Sequence, residues 1–131
     1  MVRINTYIER TSLTLEEEAR EVLEYKLRKA GINVKLDVLM LPGLEVNIYG
    51  VSGDTCVIGE VSTRAGIKVV NTLERKIGDV KAKYPDRLKP KIIKVIYTMW
   101  ATDDAVESAL QKGIWLVKAS KELTPLKVLE S

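Results

Sequence analysis

The stretch VIGEVSTRAG, Val57–Gly66, carries apolar and small residues up to a single acid, Glu60. Asn47 stands thirteen residues earlier, in LEVNIYGV. An acid ending an apolar strand, with a polar position on the strand before it, is one way to present ligands to a metal ion. Two positions past the acid, where a lysine would help activate water, stands Ser62. The chain has no histidine, which removes Ser-His-Asp and Cys-His catalysis, most zinc hydrolase sites and histidine proton shuttling. Any hydrolysis must rest on carboxylates, lysines, hydroxyls and a hard cation such as Mg²⁺. The one cysteine, Cys56, lies in the apolar run TCVIGE and is expected to be a buried filler, because no second thiol exists for a bridge or a zinc cluster.

The elements that must position these residues follow from periodicity. Thr14 and Glu17 form a capping box, and Leu15, Ala19, Val22, Leu23, Leu27 and Ala30 recur at helical spacing until Gly31 stops the helix. Three strands follow, Val34–Met40, Leu44–Val51 and Thr55–Ser62, joined by Pro42-Gly43 and Ser52-Gly53-Asp54 as an antiparallel meander. Alternation places Val46 and Ile48 on one face of the second strand, and Glu45, Asn47 and Tyr49 on the other. A second helix runs from about Gly66 to Tyr84 with Ile67, Val70, Leu73, Ile77 and Val80 facing inward, and Pro85 marks its end. KIIKVIYTMW, Lys91–Trp100, reads as a buried strand. Thr102 caps a short helix ending at Gly113, and Ile114–Val117 closes the sheet. Residues 1–13 alternate at Val2, Ile4, Thr6 and Ile8, as a short strand, an arm or an extra helical turn. The order α-β-β-β-α-β-α-β predicts one α/β domain over 1–131 with a mixed sheet. Its core spans about 14–117, preceded by an N-terminal arm over 1–13 and followed by a tail over 118–131.

The 131 residues can bury a useful core without disulfides. No apolar run is long enough to span a bilayer and no leader pattern is present, so a cytoplasmic protein with no membrane partner is expected. Abundant Ile, Val, Leu, Glu, Lys and Arg suit a thermophile. The net charge of +3 hides an asymmetry: residues 1–62 carry seven basic and ten acidic side chains, residues 63–131 fourteen and eight. Ten of the basic residues lie between Arg64 and Lys94. That segment reads either as a solvated helix and loop or as a holder for a phosphate backbone.

The element order, with an acid ending the third strand, resembles the core of the PD-(D/E)XK nuclease superfamily, which includes restriction endonucleases and archaeal Holliday-junction resolvases. It is also similar to archaeal proteins with an EVD- or EID-like strand before a GEVK-like strand. The resemblance covers roughly residues 14–117 and implies a restriction endonuclease-like core. In that superfamily, an acid on the second strand and the acid of Glu-x-Lys on the third bind Mg²⁺ or Mn²⁺, and the lysine orients the attacking water. An acid on the first helix often joins them. Carried over by position, Glu60 matches the acid of Glu-x-Lys, Asn47 stands for the second-strand aspartate and Ser62 for the lysine. Glu45 is a substitute carboxylate two residues before Asn47. Glu21 is the helix candidate, with Glu17 and Glu24 beside it. The resemblance further implies DNA as a partner, with Arg64, Lys68 and Arg75 as phosphate contacts.

The sequence departs from that pattern twice. Asn47 offers a metal no charge, and the Ser62 hydroxyl is a poor base. Arg64, Lys68 or Lys35 could reach in instead, although arginine stays protonated and can only clamp a phosphate. Structural readings stand beside these: Glu45 as a solvent-facing partner of Lys35, Glu60 in an ion pair with Arg64, Ser62 and Thr63 as helix caps, and Trp100 and Trp115 as core or dimer-surface residues, with stacking on a nucleic-acid base as their functional alternative. Two functions follow. One is a nuclease-like domain that binds nucleic acid with weak or lost metal-dependent phosphodiester hydrolysis. The other is a non-catalytic interaction module, forming a homodimer or docking a partner through Leu123, Leu126, Val128 and Leu129 of the tail.

Overall fold

The computed structural model describes residues 14–131, so the strand, arm or helical turn expected over 1–13 lies outside the described residues. Helix α1, Leu15–Lys29, opens on the expected capping box: the Thr14 hydroxyl accepts from the Glu17 N–H at 3.1 Å, and the Glu17 carboxylate accepts from the Thr14 N–H at 3.2 Å. Glu16, Glu17 and Glu18 sit in its first turn and Lys26, Arg28 and Lys29 in its last, complementing the helix dipole. Its buried stripe is Ala19, Leu23 and Leu27.

Strands β1 (Asp37–Leu41), β2 (Leu44–Ser52) and β3 (Thr55–Ala65) form the antiparallel meander. Helix α2, Ile67–Lys83, crosses to β4 (Lys91–Ala101), and helix α3, Asp103–Lys112, crosses to β5 (Ile114–Val117). Both crossovers add parallel strands, giving a mixed sheet in the order β1-β2-β3-β4-β5. Over Leu15–Val117 the predicted order α-β-β-β-α-β-α-β is the observed one, with a 3₁₀ turn over Pro85–Arg87 after α2 and one further short strand beyond that range.

Alternation divides the core between the two faces of the sheet. Val57, Ile93, Val95 and Tyr97 pack against α1, whereas Cys56, Ile58, Ile92 and Ile96 pack toward α2 and α3. Burying each such apolar side chain stabilises by about 1.5–3 kcal/mol, and these clusters bind both helical layers to one sheet. Gly59 lies where β3 and β4 crowd: a Cβ there would stand 2.2 Å from the Val95 carbonyl oxygen, so only glycine fits beside Glu60.

Four local expectations change. Val34 and Leu36 are buried but precede β1, and the Leu36 N–H donates to the Glu24 carboxylate at 2.7 Å instead of to a strand. Strand β3 runs on through Thr63, Arg64 and Ala65, so Ser62 and Thr63 do not cap α2; Gly66 does, with no side-chain bond. In β2 the register with β1 slips, because Asp37 pairs with Tyr49 but Leu39 with Val46. This bulge spends an extra residue on β2, so Val46 packs toward α2 while Ile48 packs toward α1, not together as simple alternation requires. The tail, finally, folds back on its own domain. Leu123, Leu126 and Leu129 pack on the three core clusters, and β6, Leu129–Glu130, pairs with the start of β4. The buried Thr124 hydroxyl accepts from the Leu116 N–H and donates to the Ile114 carbonyl, both at 2.6 Å.

Candidate functional site

Beyond Ile48 and Gly59 the regular pairing of β2 with β3 stops, and the next two residues are Asn47 and Glu60. Their side chains replace the lost ladder. Glu60 Oε2 accepts from the Asn47 N–H at 3.1 Å, and Asn47 Oδ1 accepts from the Val61 N–H at 3.0 Å. A backbone group left bare at this depth would cost about 1–3 kcal/mol, so each side chain serves the opposite strand. The β1–β2 bulge falls at the same point in β2, between Val46 and Tyr49.

The second oxygen of Glu60 is occupied from the helical layer. Lys76 of α2 places its Nζ 2.6 Å from Glu60 Oε1 and also 2.6 Å from the Glu45 carbonyl oxygen. Glu60 is 6% exposed, and a carboxylate so placed needs a cation or several donors. It has both: one ammonium and one peptide N–H. A reversed pair lies on the same side of the sheet, where Lys94 of β4 donates to Glu74 of α2 at 2.9 Å. Helix α2 is therefore pinned to the two central strands by two ion pairs of opposite polarity. From the α1 side, Arg20 donates to the Asn47 carbonyl at 3.0 Å, which ties the bulge to that helix as well.

The other residues singled out by sequence do not converge on Glu60. Glu45 is exposed, and only its backbone carbonyl joins the centre. Glu21 lines a shallow cleft of about 260 Å³ with Glu17, Arg20, Glu24, Lys35 and Asp37, and neither Asn47 nor Glu60 lines it. Lys35 approaches Glu24 at 4.0 Å, not Glu45. The Ser62 hydroxyl donates to the Arg64 carbonyl at 2.7 Å, along its own strand. Lys68 and Arg75 are exposed on α2. Arg64 turns away from Glu60 and lies over the Trp100 ring, 4.5 Å from its centroid. Trp115 is buried, with its indole N–H donated to Glu122 at 2.6 Å, but Trp100 is half exposed.

A divalent cation does not fit this centre. Such an ion needs several free oxygen ligands carrying negative charge. Both Glu60 oxygens are engaged, the Asn47 oxygen is taken by the Val61 N–H, and Lys76 puts an ammonium where a cation would sit. Among the described residues no group of three acids or thiols is placed to hold a metal.

Lys76 is the residue that sequence reasoning missed. Its signal was its place on the inward stripe of α2, three residues after Leu73 and four before Val80. A second buried polar pair stands on the other face: Tyr97, 1% exposed, donates to the Glu18 carboxylate at 2.8 Å. Burial, reinforced by that bond, pushes the phenol well above its ordinary value of 10. Burial likewise raises the Cys56 thiol, which is free and inert in the core as expected.

With this geometry in place, the likenesses to known proteins can be stated. Residues 17–126, most of the chain, match the family described as Domain of unknown function (DUF8196), and the chain belongs to that family. No curated protein matches it. Among solved structures, it resembles a repair endonuclease from Pyrococcus abyssi at 18% identity and a TM-score of 0.55, over 77% of this chain and 46% of that one. It resembles EndoMS in apo form at 19% identity and a TM-score of 0.52, over 88% and 48% of the two chains. For EndoMS in a complex with double-stranded DNA the values are 18% and 0.51, over 81% and 45%. The chain spans just under half the length of each. At such identities the likeness is one of fold: a mixed α/β, nuclease-like architecture.

Proposed function

We propose that this DUF8196 chain is a nucleic-acid-binding domain of nuclease-like fold in which metal-dependent hydrolysis has been replaced by a structural ion pair. One observation carries the reading: Glu60, at the position of the acid in a PD-(D/E)XK motif, has one oxygen on Lys76 and the other on the Asn47 N–H. Phosphodiester hydrolysis needs a Lewis acid at the phosphoryl oxygen and a hydroxide near neutral pH, and this centre holds its one carboxylate against an ammonium and offers no free base. Asn47 and Ser62 are the two substitutions that accompany this closure. Nucleic acid as the partner draws support from the fold, from neighbours described as a repair endonuclease and as a complex with double-stranded DNA, and from the basic second half of the chain. Exposed Lys68 and Arg75 on α2 are the phosphate contacts in this reading.

The test is anisotropy of labelled DNA over about 50–200 mM salt, followed by incubation with Mg²⁺ or Mn²⁺. Binding that weakens steeply with salt, without cleavage, is expected. Cleavage that disappears in Glu60→Gln would overturn the loss of hydrolysis. A second reading, a self-associating module, is favoured by one feature. Among the described residues strand β1 is an outer edge of the sheet, with Met40 70% and Val38 37% exposed, and such an edge can pair with a second copy. A mass in solution that halves on Met40→Lys, with no DNA bound by either form, would establish that reading over the first.

A further inference from the structure

We propose that Arg64 and Trp100 form a stacking platform for one unpaired nucleobase; the proposal rests on the nucleic-acid reading above and names the ligand class. The two residues are register partners on the parallel strands β3 and β4. Strand β4 outruns its other neighbour, since pairing with β5 ends at Tyr97 and Val117. Met99 and Trp100 therefore lie beyond the end of β5, still paired to β3 on their other side, and are 61% and 50% exposed although they belong to an otherwise buried strand. Their backbone is fixed all the same. The Thr98 hydroxyl, on a residue 1% exposed, donates to the Trp100 carbonyl at 2.8 Å and accepts from the Trp100 N–H at 3.2 Å.

A rigidly mounted indole with a guanidinium at 4.5 Å and half its surface still open matches what a base requires. The ring supplies a stacking face, the cation strengthens it, and the guanidinium edge keeps N–H donors for the adjoining phosphate. The acidic first turn of α3, Asp103 and Asp104, follows closely. Its carboxylates disfavour the continuous phosphates of a duplex beside the ring, whereas a single base needs only the part of the indole that the guanidinium leaves uncovered. Arg64 lies four residues past Glu60, about 13 Å along the strand, so the platform is distinct from the closed centre.

The measurement compares oligothymidylate with a blunt duplex of equal length, read by tryptophan emission and anisotropy, for the wild-type chain, Trp100→Ala and Trp100→Tyr. Oligothymidylate is expected to quench wild-type emission. Trp100→Ala should weaken its binding about tenfold while duplex affinity changes less than about twofold, and Trp100→Tyr should restore most of the loss. Single-strand affinity unchanged in Trp100→Ala, with salt-dependent DNA binding intact, would overturn the platform and leave the broader reading standing. A wild-type chain that binds neither probe at low salt would overturn both. If Trp100→Ala instead converts a dimer to a monomer and leaves oligothymidylate binding unaltered, the ring covers a second copy and the platform is wrong.

Discussion

Strand β3 carries two arginine- or lysine-centred contacts four residues apart, and they are opposites. At Glu60 the cation comes from a helix, Lys76, and the pair is buried, with the carboxylate side chain 8% exposed. At Arg64 the cation comes from the strand itself, its partner is an aromatic face, and that face is half in solvent. The inner contact satisfies every polar atom within its reach and holds layers together. The outer one leaves surface uncovered. A buried ion pair fixes geometry and resists loss of either member, whereas an exposed cation–π contact contributes little to stability and stays available to a ligand.

The contrast can be broken most severely from inside. Lys76→Met leaves Glu60 buried beside a single N–H, and a loss of about 3 kcal/mol is expected in urea unfolding. Adding Glu60→Gln to that variant should recover part of the loss, and the double-mutant cycle would measure the coupling directly. On the other face of the sheet, Tyr97→Phe removes a bond to a carboxylate and should cost about 2 kcal/mol near neutral pH. Its pH dependence sharpens the point. Because the folded phenol titrates above its ordinary value of 10, the stability it contributes is complete below pH 10 and is lost as pH rises beyond that value. Wild-type stability should thus fall on the alkaline limb, and Tyr97→Phe should flatten the fall.

Substitutions at the rim should leave stability within about 0.5 kcal/mol and act on binding instead. Lys68→Gln and Arg75→Gln are each expected to reduce the slope of log affinity against log salt by about 1, with little change in melting temperature. The smallest effect expected is that of Ser62→Lys. It gives up one hydrogen bond to the Arg64 carbonyl and should yield no cleavage in Mg²⁺ or Mn²⁺, since Lys76 still holds Glu60. Cleavage by that single variant would break the comparison at its inner end.

Much of this arrangement could be read from residues alone. Helical spacing located the three α-helices of the described residues, the Thr14–Glu17 box fixed where the helix after it begins, and the isolation of Glu60 among Val57, Ile58 and Val61 marked it as a charge in need of a partner. The identity of that partner was hidden. Lys76 meets Glu60 only because α2 returns over the sheet, and no local pattern encodes which turn of a crossover helix lands on which strand residue. The faces of β2 were misread for another reason: a period of two cannot register an inserted residue, and the bulge before Tyr49 reverses every face beyond it. For Trp100 the continuously apolar run KIIKVIYTMW left core, dimer surface and base stacking all open, because how far a strand outruns its neighbour is set by the neighbour's length. Here β5 is four residues long and β4 eleven.

The Lys76–Glu60 pair also constrains how this sequence can change. Replacing either residue alone strands a charge in the interior, so each first step away lowers fitness before a second can compensate. Asn47→Asp, which would bring a second carboxylate to the centre, meets the same obstacle, because one ammonium cannot neutralise two buried carboxylates. Any lineage carrying this contact is held on its own side of a valley in sequence space. The positions at 47, 60 and 76 should accordingly drift as a set, and exchanges among relatives there should be found in twos and threes.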